Sequence, residues 1–181
     1  MVPSVLVILA DGFEEIEAIC PIDLLRRSGA KVTVAGLGSL EVRGSHAVVV
    51  KADTVLGDCS DMPFDCVVLP GGGQGSEALA ASFEVLETVI KTAQSGVVAA
   101  ICAAPAVVLG KTGLLDGKRV TGYPGTEARC PSLKLSDEKV ITDGNLITAQ
   151  AAGSAIAFSL AIIAKLFNQE TADKIAQQVK Y

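Results

Sequence analysis

A chain of 181 residues, 50% apolar but only 4% aromatic, must build its core from Val, Ile, Leu and Ala, and is long enough to bury roughly 70% of its unfolded surface without staples. A formal charge of -5 with no basic run argues against nucleic-acid binding through a charged face, and no apolar stretch reaches the ~20 residues of a membrane helix. Cys20, Cys59, Cys66, Cys102 and Cys130 show no C-x-x-C spacing and His46 is the sole histidine, so neither a zinc site nor a disulfide framework is expected. The expectation is a cytoplasmic protein with reduced thiols, no signal peptide, no metal and no cofactor.

Ser4 to Ala10 is a continuous β-rich apolar run, the pattern of a strand buried on both faces. Asp11-Gly12 turns the chain into a helix over Phe13 to Ser28. Glu14, Glu15 and Glu17 suit its positive end, Arg26 and Arg27 sit near the other, Gly29 stops it and Pro21 is placed to bend it. Lys31 to Ala35 alternates as a second strand; Glu41 to Val50, with a Gly44-Ser45 turn, reads as a hairpin arm or edge strand. Asp65 to Leu69 is another buried strand, running into the loop Pro70-Gly71-Gly72-Gly73-Gln74-Gly75. A helix over Ser82 to Gln94, a strand over Val97 to Ile101 and a helix over Ala103 to Leu109 follow. Arg119 to Thr121, Lys139 to Thr142 and Leu146 to Thr148 read as short strands, the last two joined by a Thr142-Asp143-Gly144-Asn145 hairpin turn. Gly153 to Phe167 is apolar nearly all round and predicts a buried helix; Gln169 to Val179 is amphipathic. The alternation predicts one doubly wound α/β domain over residues 1–181, a mainly parallel sheet with helices on both faces.

Cys102 stands where a buried strand turns into a helix through small residues. Such an elbow pushes the side chain toward solvent, places it at the positive end of a helix and leaves the next N–H, that of Ala103, free to stabilise an oxyanion. The plainer role is a small core residue. A helix terminus supplies ~0.3–1 kcal/mol, at most ~2, or roughly 0.2–1.5 pKa units. That leaves a thiol of pKa ~8.5 near neutrality or above, so a strongly acidic thiol needs a second donor. Lys and Arg are scarce in the nearby sequence; a protonated carboxyl would serve, and Glu17 is the candidate. The glycine run fits neither the dinucleotide fingerprint nor a P-loop. It reads as the second arm of an oxyanion hole or as a plain surface turn.

Leu6 to Ala10, Gly12, Glu14-Glu15-Ile16-Glu17, Lys31 to Gly36, Val67 to Gly72 and Ala99 to Pro105 follow one another in order. Together they resemble the ThiJ/PfpI superfamily, most of all its branch of Parkinson-disease-associated protein deglycases ("DJ-one"), over essentially the whole chain. The resemblance implies a flavodoxin-like α/β sandwich that usually forms a homodimer. It implies that Cys102 is an oxidation-prone nucleophile, that Glu17 hydrogen-bonds its sulfur, that Gly72 and Ala103 are backbone donors and that Glu14 is an acidic pocket residue. It implies also that Arg27 reaches the pocket of a partner subunit. The activities implied are a cofactor-free glyoxalase acting on methylglyoxal and glyoxal, deglycation of early glycation adducts, and defence against oxidative and carbonyl stress. A redox-sensing, chaperone-like protein is the alternative, a cysteine peptidase a further one. The chain departs from the branch at Tyr123-Pro124 (in place of His-Pro), at His46 (in place of an arginine) and at Gln150-Ala151-Ala152-Gly153 (in place of a Gly-Pro-Gly loop). With His46 on a predicted edge strand, a Cys-Glu pair is expected rather than a Cys-His dyad. Tyr123 is expected to line the pocket with its hydroxyl, and His46 to join Arg27 in an inter-subunit pocket.

Overall fold

The computed structural model describes residues 1–181. In chain order its elements are β1 (Ser4–Leu9), α1 (Glu15–Arg27), β2 (Lys31–Gly36), β3 (Glu41–Arg43), β4 (Val49–Lys51), β5 (Thr54–Val55), β6 (Cys66–Leu69), α2 (Gly73–Ala81), α3 (Phe83–Ala93) and β7 (Val97–Ile101). There follow α4 (Ala104–Val107), β8 (Val120–Thr121), β9 (Leu135–Ser136), β10 (Val140–Asp143), β11 (Leu146–Ala149), α5 (Ala155–Leu166) and α6 (Gln169–Val179). Seven strands form one sheet in the order β10-β11-β7-β6-β1-β2-β5, parallel except for the β10–β11 hairpin.

The apolar runs seen in the sequence become the central strands because only a strand covered on both faces can hide every side chain. In β1, Val5, Val7 and Leu9 pack with Leu25 of α1, Phe158 and Ile162 of α5 and Ile175 of α6. Leu6 and Ile8 point the other way, to Leu79 of α2 and Val85 and Val89 of α3. Strands β2, β1, β6, β7 and β11 stand in the flavodoxin-like order, whose crevice for ligands opens beyond the carboxyl ends of the strands where the winding reverses. Here the reversal lies between β1 and β6, and the turns after β1, β6 and β7 meet at that edge.

Several expectations change. The glycine run is a loop only as far as Gly72; from Gly73 it is the first turn of α2. Gly72 takes φ +90, and Gly75 lies so close to the Phe13 backbone that a Cβ would collide with it. These glycines pack a helix start against the β1–α1 turn instead of breaking a helix. Residues 41–51 form a separate two-stranded hairpin, β3–β4, so they are an arm and not an edge of the main sheet. Helix α1 runs on through Pro21, which is buried. The helix after Cys102 is short, α4 followed by a 3-10 turn at Leu109–Lys111. Helix α5 is not buried all round: Ile156 is exposed and Leu160, Ala161 and Ala164 are only partly covered. No helix is long and apolar enough to cross a membrane.

Candidate active site at the Cys102 elbow

Cys102 follows β7 directly and has φ 65, the left-handed region that an L residue enters at a cost of roughly 1–2 kcal/mol. Neighbouring elements hold it there. Its N–H donates to Ala149 O at the end of β11 (2.9 Å), and its carbonyl accepts from the Tyr123 N–H (2.7 Å). The thiol is half-buried.

The end of β6 closes over this sulfur. The Gly71 N–H donates to Glu17 Oε2 (2.9 Å), and the Glu14 N–H donates to Gly71 O (3.0 Å). Gly71 thereby pins the α1 N-terminus to the β6 turn. A methyl group on Gly71 would sit on both the Glu17 carboxyl and Cys102 Cβ, so only glycine lets the two groups close. The N–H groups of Gly72 and Ala103 and the Glu17 carboxyl lie near enough to act on the thiol's proton.

Glu17 is 1% exposed. Burial raises its carboxyl from the ordinary 4.5 to about 7, against the lowering influence of Cys102 and the Gly71 N–H, with the Glu14 charge raising it further. Burial first, and the charge of ionised Glu17 second, push the Cys102 thiol up, while the Gly72 and Ala103 N–H groups pull it down. The sequence argument calls for a neutral carboxyl that makes the thiol acidic. Burial shifts the Glu17 carboxyl toward that neutral form, and while it is ionised its charge opposes the thiolate. One proton is thus shared by a coupled pair, and its titration belongs to both groups.

Cys102, Glu17, Gly72 and Ala103 therefore converge, and Glu14 stands close enough for its charge to be felt at Glu17. Tyr123 contributes its backbone N–H to the elbow, while its side chain is 51% exposed and makes no hydrogen bond. Arg27 lies elsewhere, bonded to Asp23 (2.8 Å) on the outer face of α1. His46 sits in the tip of the hairpin and not on a strand. Its Nδ1 is 2.9 Å from Glu15 Oε2 and 3.0 Å from Ser45 Oγ, and its N–H donates to Glu15 Oε1 (2.7 Å). Burial raises the Glu15 carboxyl, but the imidazole, the N–H groups of Glu15 and His46 and the Ser45 hydroxyl outweigh it and hold Glu15 at about 2. The bond to Glu15 in turn raises the imidazole. Glu14, Glu15 and His46 are the one group whose metal-binding atoms converge, within 4.8 Å of one another; His46 is bonded to Glu15, and the Ser45 hydroxyl donates to both carboxylates. Gly71 and Ser45 were not singled out by sequence reasoning. Gly71 carries a signal, a Pro-Gly-Gly at a strand end, whereas Ser45 joins the site only through the hairpin.

The DJ-1/PfpI family profile matches residues 3–165. The chain is 42% identical over 182 residues to the protein dj-1beta of Drosophila melanogaster, covering 98% of this chain and 96% of that one. It is 31% identical over 157 residues to a deglycase of Pyrococcus abyssi, covering 85% and 93%. A structure of oxidized DJ-1 from Toxoplasma gondii superposes with a TM-score of 0.95 at 39% identity, covering 99% of each chain. The chain spans only 39% and 45% of the length of two Arabidopsis thaliana relatives, DJ-1 homologs B and A. With the profile running over nearly the whole chain and relatives of the same length on both counts, the chain belongs to the DJ-1/PfpI family.

Proposed function

We propose that the protein is a cofactor-independent, cysteine-dependent glyoxalase and deglycase acting on methylglyoxal, glyoxal and their early adducts, in carbonyl-stress defence in the cytoplasm. The observation that carries this reading is the closure of the Glu17 carboxyl and the Cys102 thiol on Gly71. Glu17 carboxylate takes the thiol proton as Sγ bonds to the aldehyde carbon and passes that proton to the aldehyde oxygen, giving a hemithioacetal and restoring the carboxylate. Glu17 then removes the C–H proton from that carbon and returns it to the neighbouring carbonyl carbon, while the hemithioacetal hydroxyl proton passes to the neighbouring carbonyl oxygen through an enediol. The product is a thioester of a 2-hydroxy acid, isomerised internally with no external oxidant or reductant. Water cleaves the thioester, releasing lactate from methylglyoxal and restoring the thiol. From an adduct the amine leaves, taking a proton, before the same sequence. The Gly72 and Ala103 N–H groups favour negative charge at the elbow throughout.

Incubation with methylglyoxal should yield lactate, and turnover persisting in Cys102→Ser would overturn the reading. A redox-sensing role rests on the same donors, since a sulfinate at Cys102 would accept from the Gly72 and Ala103 N–H groups. Selective oxidation of Cys102 among the five cysteines, read by mass spectrometry after mild peroxide, is its test. A peptidase is disfavoured because the hydrogen bonds of His46 run to Glu15 and Ser45. We further propose a homodimer through the outer face of α1, where Ile16, Ile19, Ile156 and Val179 line an apolar cleft of about 670 Å³ beside Arg27.

A further inference from the structure

A second cavity, of about 360 Å³, lies between the tip of the β3–β4 hairpin and the first turn of α2, with Asp11, Arg43, Gly44, Ser45 and Gln74 in its lining. Its frame is held by backbone bonds. The Arg43 N–H donates to Asp11 Oδ1 (2.8 Å), and the Gly12 N–H donates to Arg43 O (2.7 Å). The charged ends are free by comparison. Arg26, Arg27, Arg119 and Arg129 pair with Asp53, Asp23, Glu138 and Glu77, which leaves Arg43 as the one arginine with no carboxylate partner. Asp11 uses a single oxygen, on a backbone N–H. The cavity thus offers one unpaired cation and one anion with a free oxygen, the complement of a zwitterion.

It also adjoins the elbow. Ser45, on its edge, donates to Glu14 Oε2 (3.2 Å). Glu14 is in turn bonded to Gly71, which closes on Glu17 and Cys102. Gly12, on the other edge, touches Gly72.

We propose that this cavity is a subsite for the α-amino acid end of the substrate, the carboxylate on Arg43 and the ammonium on Asp11, while an aldehyde adduct on the side-chain amine reaches Cys102. The substrate class is then a glycated free diamino acid of the lysine or ornithine type. The same adduct inside a polypeptide lacks both charges, because its α-groups are peptide bonds. The assignment of a substrate rests on the deglycase reading, but the subsite itself is tested without turnover.

Nε-bromoacetyl-lysine and Nδ-bromoacetyl-ornithine alkylate a thiol with loss of bromide, and each is compared with its α-carboxamide and its Nα-acetyl derivative for the rate of Cys102 modification. At least one zwitterion should react about fivefold faster than both blocked forms, about 1 kcal/mol at tenfold per 1.4 kcal/mol, the upper range for a solvent-exposed charge pair. Arg43→Gln should erase the preference over the carboxamide, Asp11→Asn the preference over the acetyl form, and neither should change the rate with iodoacetamide. Equal rates for charged and blocked probes of both lengths overturn the proposal, as does a preference that survives in Arg43→Gln. A preference found in a protein that makes no lactate from methylglyoxal would uphold the subsite and reject the deglycase reading.

Discussion

At Glu17 burial works against charge, and this has a measurable cost. The folded protein holds the Glu17 proton up to about pH 7, whereas an unfolded chain releases it near 4.5. Between those values the folded state binds more protons, so stability falls as pH rises and levels off above about 7. A rise of that size corresponds to about 3 kcal/mol. Glu17→Gln keeps an acceptor for the Gly71 N–H and removes the charge. The melting temperature of this variant should therefore exceed that of the native protein at pH 8 and approach it at pH 4, while lactate formation falls on the order of a hundredfold or more, the range for a lost acid–base group. An equal difference in melting temperature at both pH values would show that no buried charge is involved. Ser76 offers a second case: its Oγ is buried with no hydrogen-bond partner. Ser76→Ala should stabilise by about 1 kcal/mol in denaturant titration, since it removes an unsatisfied hydroxyl from a helix. Cys102 and the Ala103 N–H were legible in the sequence because a strand-to-helix elbow is a local pattern, whereas which glycine of the run faces the sulfur came only from the family resemblance. The pairing of Glu17 with Cys102 was legible only as a chemical need and through the family resemblance, because chain spacing says nothing about which carboxyl the fold brings to the sulfur. The links among Ser45, His46 and Glu15 were hidden altogether, since they form only once the hairpin folds over α1.

Among the elements, the β6–α2 turn sets the spacing of the whole site. Gly71→Ala would place its methyl between the Glu17 carboxyl and Cys102 Cβ. Neither can retreat easily, because α1 and β7 are both packed in the core. Lactate formation should drop at least a hundredfold while the far-ultraviolet circular dichroism stays native; near-native turnover would mean that the two groups need not close. The strands with long apolar runs and the helices α1, α3 and α6 were readable because period and end signals agree within one segment. Strands β5 and β9 are two residues each and exist only as pairings with distant partners, so no local pattern announces them. Helix α2 was masked by Gly73 and Gly75, whose composition says loop, although Gly75 lies in close packing against the Phe13 backbone.

On the scale of the molecule, one outer face is unlike the rest. Ile16 is 56% exposed and Ile19 43%, beside a partly covered α5 that its sequence marks as apolar all round. An Ile16→Glu/Ile19→Glu double variant should sediment as a monomer where the native chain sediments as a dimer, with secondary structure unchanged. Native protein that sediments as a monomer at micromolar concentration would reject the assembly. The left-handed backbone at Cys102 bears on how such a chain evolves. Glycine is at ease in that conformation and cysteine is not, so folding and chemistry pull this one codon in opposite directions. A lineage that kept the architecture but no longer needed the sulfur would gain stability by drifting to glycine at 102. The residue at that position therefore reports whether a descendant of this fold is still under selection for a nucleophile.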